Sequence, residues 1–198
     1  RSFFQGHPVR IASARAGNVI GGGDWAADRI VPDCLRALAA GRAIPVRNRA
    51  ATLPWQHVLE PLSGYLWLAA CLAGGTGPVA SGHPAARPAD LDAAFNFGPG
   101  HESNRTVAQL VEEILKHWPG GRWEDRSDPR AVHEAGLLQL SIDKANALLG
   151  WAPTWRFATA VEQTVAWYRD DGEKCAVTGR QLERFVADAR QAGAPWAS

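Results

Sequence analysis

The sequence has no methionine, two tyrosines and three cysteines in 198 residues, and each scarcity excludes something. Cys34, Cys71 and Cys175 are odd in number, far apart and outside any C-x-x-C spacing, so they build neither a disulfide framework nor a zinc site. A reduced, cytoplasmic setting is the expectation. Neither Tyr65 nor Tyr168 has a lysine four residues on, where Ala69 and Gly172 stand, so no tyrosine–lysine acid/base pair exists here. No catalytic residue and no metal ligand is singled out. An excess of one charge is also missing, because 21 basic residues meet 20 acidic ones without runs of like sign, and no nucleic-acid or membrane-surface footprint results. No apolar run reaches the roughly 18 residues of a membrane span, and the opening "RSFFQGHPVR" lacks the apolar stretch of a signal peptide. Without a starting methionine, the chain reads as one begun inside a longer protein.

What is present is a globular composition, 46% hydrophobic, enough for a substantial core. Nine tryptophans, among them Trp55, Trp118, Trp151 and Trp167, fall at the ends or on the apolar faces of elements and read as packing residues. The run Val9 to Ala14 predicts a buried strand that enters a glycine loop. A helix is expected from about Val31 to Ala40, stopped by Gly41, then a short strand "IPVR" and a polar loop "NRAATLP". In "WQHVLEPLSGYLWLAACLAGG", Val58, Leu62, Tyr65, Leu66 and Ala69 recur at helical spacing as the apolar stripe of an amphipathic helix, with Pro61 tolerable only in the first turn. Residues 76–92, rich in Gly, Pro and Ala, read as a surface loop, and "AAFNFG" as a strand. Thr106 and Gln109 have capping-box spacing at the head of "TVAQLVEEILKHW". "GRWEDRSD" starts strand-like, "SIDKANALLGW" is a short helix with Ser141 as cap and Gly150 as stop, and two amphipathic helices follow, the last opening on Thr178-x-x-Gln181. Alternation of strand and helix predicts an α/β fold.

Three adjacent glycines, Gly21 to Gly23, suggest a phosphate loop, but the spacing fits neither G-x-G-x-x-G nor a Walker loop. A sharp backbone turn is what remains. Asn96, an amide inside the apolar "AFNFG", needs a partner and either binds something or ties down backbone. Arg130, His133 and Glu134 form a polar trio that is either an anion contact or simply solvated.

The segments "RAGNVIGGGDWAADRIVPD", "PWQHVLEPLSGYLWLA", "AFNFGP", "HEAGLLQLSIDKANALLGW" and "VAWYRD" resemble, in this order, the C-terminal half of CDP-glucose 4,6-dehydratases, members of the extended short-chain dehydrogenase/reductase superfamily. The resemblance implies the last strands of a Rossmann-type parallel sheet plus a small mixed α/β substrate-binding domain. On that division residues 1–20 and parts of 42–98 belong to the NAD-binding domain, and 21–41 and 99–198 to the substrate region. It further implies a homodimeric lyase in which NAD, held mainly by an N-terminal domain, serves the conversion of CDP-glucose to CDP-4-dehydro-6-deoxyglucose. That product leads to the 3,6-dideoxyhexoses of surface polysaccharides such as O-antigen. Carried over by matching motifs, Asn18, Arg29, Ile30, Val46, Arg47, Asn96, Arg130 and His133 are the implied substrate contacts, and the backbone at Ala16 passes the nicotinamide. The chain alone is expected to be inactive. A non-catalytic nucleotide-sugar binding module, or a relative acting on another nucleotide sugar, are the alternatives. One departure stands out: Leu53 precedes "PWQH" where the family carries an arginine that binds diphosphate, and Arg49 is a candidate substitute.

Overall fold

A computed structural model describes residues 7, 9–74, 88–127 and 140–198. Along them run β1 (Ser13–Ala16), β2 (Asn18–Ile20), α1 (Ile30–Ala39), β3 (Ile44–Val46), β4 (Thr52–His57), α2 (Leu59–Leu72), β5 (Ala94–Phe97), β6 (Asn104–Thr106), α3 (Val107–Lys116), β7 (Trp123–Asp125), α4 (Asp143–Leu149), α5 (Phe157–Arg169) and α6 (Lys174–Gln191). The fold is α/β. β1 lies parallel to β5 with Arg15 opposite Asn96, β2 parallel to β4 with Asn18 opposite Trp55, and β3 parallel to β7. The start of β4 also pairs antiparallel with β6, which sets Leu53 opposite Arg105. Parallel pairs need long crossovers, and the helices between them supply these.

Two cores result. In the first, α1, α3 and α5 pack Cys34, Leu35, Leu110, Val111, Ile114, Val161 and Val165 onto Ile20, Ile44, Val46 and Trp55. The second joins α2, β5 and α4 through Leu68, Phe95, Phe97, Leu149 and Trp151. Trp55, Trp151 and Trp167 are buried, and Trp118 packs against the first core, as packing residues should. The capping box forms: Thr106 Oγ1 accepts the Gln109 N–H, and Gln109 Oε1 accepts the Thr106 N–H. Gly150 ends α4 in the left-handed conformation. Among the described residues, no helix is long and apolar enough to cross a membrane.

Several expectations are corrected. Of the stripe predicted for α2, Tyr65 packs against the second core but Leu62 and Leu66 face outward, 44% and 73% exposed, while Glu60, Pro61, Gly64, Leu68 and Cys71 are buried. This helix is apolar nearly all round, so periodicity could not choose its face. Gly64 does, because a Cβ there would fall inside the Phe97 ring of β5. The first strand starts at Ser13, later than expected, and Ser13, Ala14 and Arg15 are exposed rather than buried, since β5 is their one strand partner among the described residues. Residues 52–57, divided in the expectation between a loop and a helix, form β4. Thr178 lies inside α6, which starts four residues earlier under Glu173, whose carboxylate accepts the N–H groups of Cys175 and Ala176. Gln181 is buried and donates to the Gln163 carbonyl. Ser141 sits one residue outside the cap of α4, its hydroxyl accepting the Asp143 N–H at 3.4 Å. Of the segment expected to be a loop, residues 76–87 lie outside the described residues, and Pro88–Leu91 form a 3-10 turn.

Candidate functional site

The three glycines are explained by their neighbours. A Cβ on Gly21 would stand 2.7 Å from Val58 Cγ1, and one on Gly22 would fall inside the Trp167 indole of α5. Gly23 has φ +84°, a conformation open to glycine at little cost. The backbone thus passes flush against α5 before residues 24–28 turn back into α1. Two elements pin this turn: Arg36 of α1 donates to the carbonyls of Trp25 and Ala26, and the Tyr168 hydroxyl of α5 donates to the Asp24 carbonyl at 2.6 Å. Trp25, 60% exposed, meets Tyr168 edge-on.

Turn, β2, β4 and the N-terminus of α1 enclose a cavity of about 440 Å³ lined by Asn18, Asp24, Asp28, Arg29, Ile30 and Leu53 among others. A second cavity of about 710 Å³ adjoins it, sharing Asp28, Ile30 and Leu53, and runs on past Arg36, Arg42, Arg47 and Asn48. Joined at these shared residues they make one groove, Asn18 lining the first cavity and Arg47 the second. The N-cap of α1, Arg29, makes no side-chain cap; Pro32 has no N–H and the Asp33 N–H is taken by the Arg29 carbonyl, so Ile30 and Val31, which line the cavity, carry the helix's remaining first-turn N–H groups. Arg29 pairs with Asp24 at 3.3 Å, and Arg47 with Asp28 at 3.8 Å.

The residues singled out from sequence are not all in this groove. Asn18, Arg29, Ile30 and Arg47 line it. Val46 is fully buried in the first core. Ala16 ends β1 opposite Phe97. Asn96 donates to the Ser141 carbonyl at 3.0 Å and so ties β5 to the segment entering α4. Arg130 and His133 lie outside the described residues. Arg49 pairs with Asp125 of β7 at 3.4 Å and does not line the groove at Leu53.

A buried polar layer behind the groove was missed in the sequence. Glu60 is fully buried, its carboxylate accepting the N–H groups of Thr154 at 2.9 Å and Trp155 at 2.6 Å. Burial raises its pKa from 4.5 to about 7, against the pull of those two donors. His57, also buried, accepts the Leu59 N–H on Nδ1 at 3.3 Å and meets the Trp155 ring edge-on, and burial lowers its pKa from 6.5 to about 4. Its Nε2 and the buried Gln56 Oε1 have no hydrogen-bond partner among the described residues. Polar residues within the apolar "PWQHVLEPL" were the available signal, the same one that drew attention to Asn96.

No protein-family model matches the chain. It is 38% identical over 166 residues to the CDP-glucose 4,6-dehydratase of Salmonella typhimurium, a match covering 84% of this chain and 43% of that protein. Among solved structures, the dTDP-glucose 4,6-dehydratase of Bacillus anthracis in complex with NAD superposes with a TM-score of 0.62 at 16% identity, over 86% of this chain and 48% of the other. The UDP-glucose 4-epimerase of Thermotoga maritima with UDP-glucose superposes at 0.63 with 19% identity, over 85% and 48%. A dTDP-glucose 4,6-dehydratase double mutant from Streptomyces venezuelae with NAD bound reaches 0.60 at 20% identity, over 86% and 47%. The chain thus spans less than half the length of these relatives. It is a relative of CDP-glucose 4,6-dehydratase, built on the Rossmann-type α/β fold that dehydratases and epimerases of nucleotide-linked sugars share.

Proposed function

We propose that this chain is the nucleotide-sugar-recognising part of a CDP-glucose 4,6-dehydratase and that its groove receives the CDP moiety. The observation that carries the reading is the alignment of Asn18, Arg29, Ile30 and Arg47 along one groove onto which the uncapped N-terminus of α1 opens. A helix N-terminus attracts anions through its N–H groups and dipole, and guanidinium forks match the oxygens of a diphosphate. Arg29 is held by the half-buried Asp24 and Arg47 by the exposed Asp28; both arginines are themselves exposed, and ion pairs so open to water are worth little, so an anion can compete for them.

NAD supplies hydride exchange in enzymes of this kind, but the residues present do not by themselves fit it. The sequence has no G-x-G-x-x-G and no tyrosine–lysine pair, and the backbone at Ala16 is the one element proposed beside the nicotinamide. The chain's own work is then to bind and orient, with residues 1–20 and parts of 42–98 as the cofactor-domain portion of a homodimeric enzyme. Val46 is proposed as part of the strand beside the base. Asn96, Arg130 and His133 remain proposed contacts of the same substrate.

Calorimetric titration of the chain with CDP-glucose, CDP, UDP and dTDP tests the reading. Saturable binding with preference for the cytidine nucleotides is expected, together with no turnover when NAD is added. Flat titrations with all four would overturn the recognition role, and turnover would relocate the catalytic groups into this chain.

A further inference from the structure

We infer that Asp28 selects the nucleoside: its carboxylate accepts a hydrogen bond from a nucleoside donor, a ribose hydroxyl or an exocyclic amine, while Arg47, which it now holds, turns to the diphosphate. The inference rests on the nucleotide-sugar reading of the groove.

Asp28 is placed where such a residue is needed. With Ile30 and Leu53 it lines both halves of the groove, the one that Asn18 lines and the one that Arg47 lines. It is the one non-glycine residue with positive φ, +61°, among those described. Only a few residue types adopt this conformation readily, Asp and Asn among them, and sites that hold it are often functional. The resulting direction carries the carboxylate toward Arg47, at 3.8 Å.

The other two groove carboxylates are already committed, Asp33 to the Arg36 guanidinium. Asp24 accepts the Ala26 N–H at 3.0 Å and the Arg29 guanidinium at 3.3 Å, and its carbonyl accepts the Tyr168 hydroxyl. Asp28 has only the Arg47 pair among the described residues, with the side chains 85% and 84% exposed. A pair so open to water is held weakly, and both partners are available to a ligand. The rest of the groove supplies donors suited to phosphate oxygens: Arg29, Arg47 and the helix N–H groups. A nucleoside also carries donors, and carboxylates are the usual acceptors for the cytosine amine and for ribose hydroxyls.

The test uses the full chain with Asp28→Asn and Asp28→Gly, both compatible with a left-handed backbone, so the turn is kept. Binding of CDP, UDP, 2′-deoxy-CDP and inorganic pyrophosphate is measured by calorimetry. Asp28→Gly is expected to weaken CDP tenfold or more while pyrophosphate binding holds or tightens as Arg47 is released, with Asp28→Asn intermediate. A loss shared by CDP and UDP but absent for 2′-deoxy-CDP assigns the donor to the ribose. A loss for CDP and 2′-deoxy-CDP that spares UDP assigns it to the amine. If CDP and pyrophosphate change by the same factor, or CDP does not change, Asp28 acts on Arg47 alone and the inference is wrong. Wild-type chain that binds none of the four overturns the groove reading itself, a result distinct from wild-type binding that the variants leave untouched.

Discussion

Glu60 and His57 stand within one turn of each other behind the groove, and burial moves their pKa values in opposite directions. Glu60, raised from 4.5 to about 7, holds its proton in the folded chain where the unfolded chain has lost it. Its contribution is complete below pH 4.5 and is lost as pH rises through 7. His57, lowered from 6.5 to about 4, stays neutral where the unfolded chain takes up a proton, so its contribution is complete above pH 6.5 and is lost as pH falls toward 4. Linkage at 1.36 kcal/mol per pH unit makes acidification from pH 7 to pH 5 worth about 2 kcal/mol of stabilisation through Glu60 and about 2 kcal/mol of destabilisation through His57. The two nearly cancel in the wild-type chain. Glu60→Gln removes one arm, so that variant is expected to lose about 2 kcal/mol more than wild type between pH 7 and pH 5. His57→Asn removes the other and is expected to gain a similar amount over the same interval. Denaturant midpoints at the two pH values, converted with the measured slopes, read both changes. Parallel pH dependence in all three proteins would refute the opposed-titration reasoning, whatever the absolute stabilities.

Gly22→Ala forces a methyl into the Trp167 ring and is expected to cost about 1–3 kcal/mol, a melting temperature lower by on the order of 5 °C; an unchanged melt would mean the close approach is not required. Leu53→Arg places a guanidinium on the shared wall of the groove and is expected to tighten CDP-glucose binding about tenfold or more, the worth of one charge-assisted hydrogen bond. No gain in titration would show that the groove does not lack a phosphate ligand there. Arg47→Ala is expected to weaken CDP-glucose binding about tenfold and to reduce its salt dependence; equal affinity at low and high salt for wild type and variant would remove Arg47 from the anion site.

Local chemistry was legible wherever one residue's covalent structure decides the outcome. Thr106 and Gln109 cap α3 because their side chains reach backbone three residues away, and Gly150 ends α4 because it alone tolerates φ +61° there at no cost. The α1 boundaries, β3, β5 and β7 follow from similar local signals. Of the candidate site, Asn18, Arg29, Ile30 and Arg47 came from motif resemblance, and they line one groove, which is proposed as the site. Asp28 was not singled out, because nothing in "AADRI" announces a positive φ at an aspartate.

The sequence by itself determined the α/β alternation, the kinship to CDP-glucose 4,6-dehydratase, and the fact that the glycine triplet is no phosphate loop. Tertiary structure decided which face of α2 is buried, since an all-round apolar helix is oriented by what packs on it, here Phe97 against Gly64. It also decided what the glycines are for, since the demand on Gly22 comes from Trp167, far along the chain on another helix. Burial of Glu60 and His57 belongs to the same class, because a charge is penalised by everything that surrounds it, and neighbours in space are not written next to it in sequence.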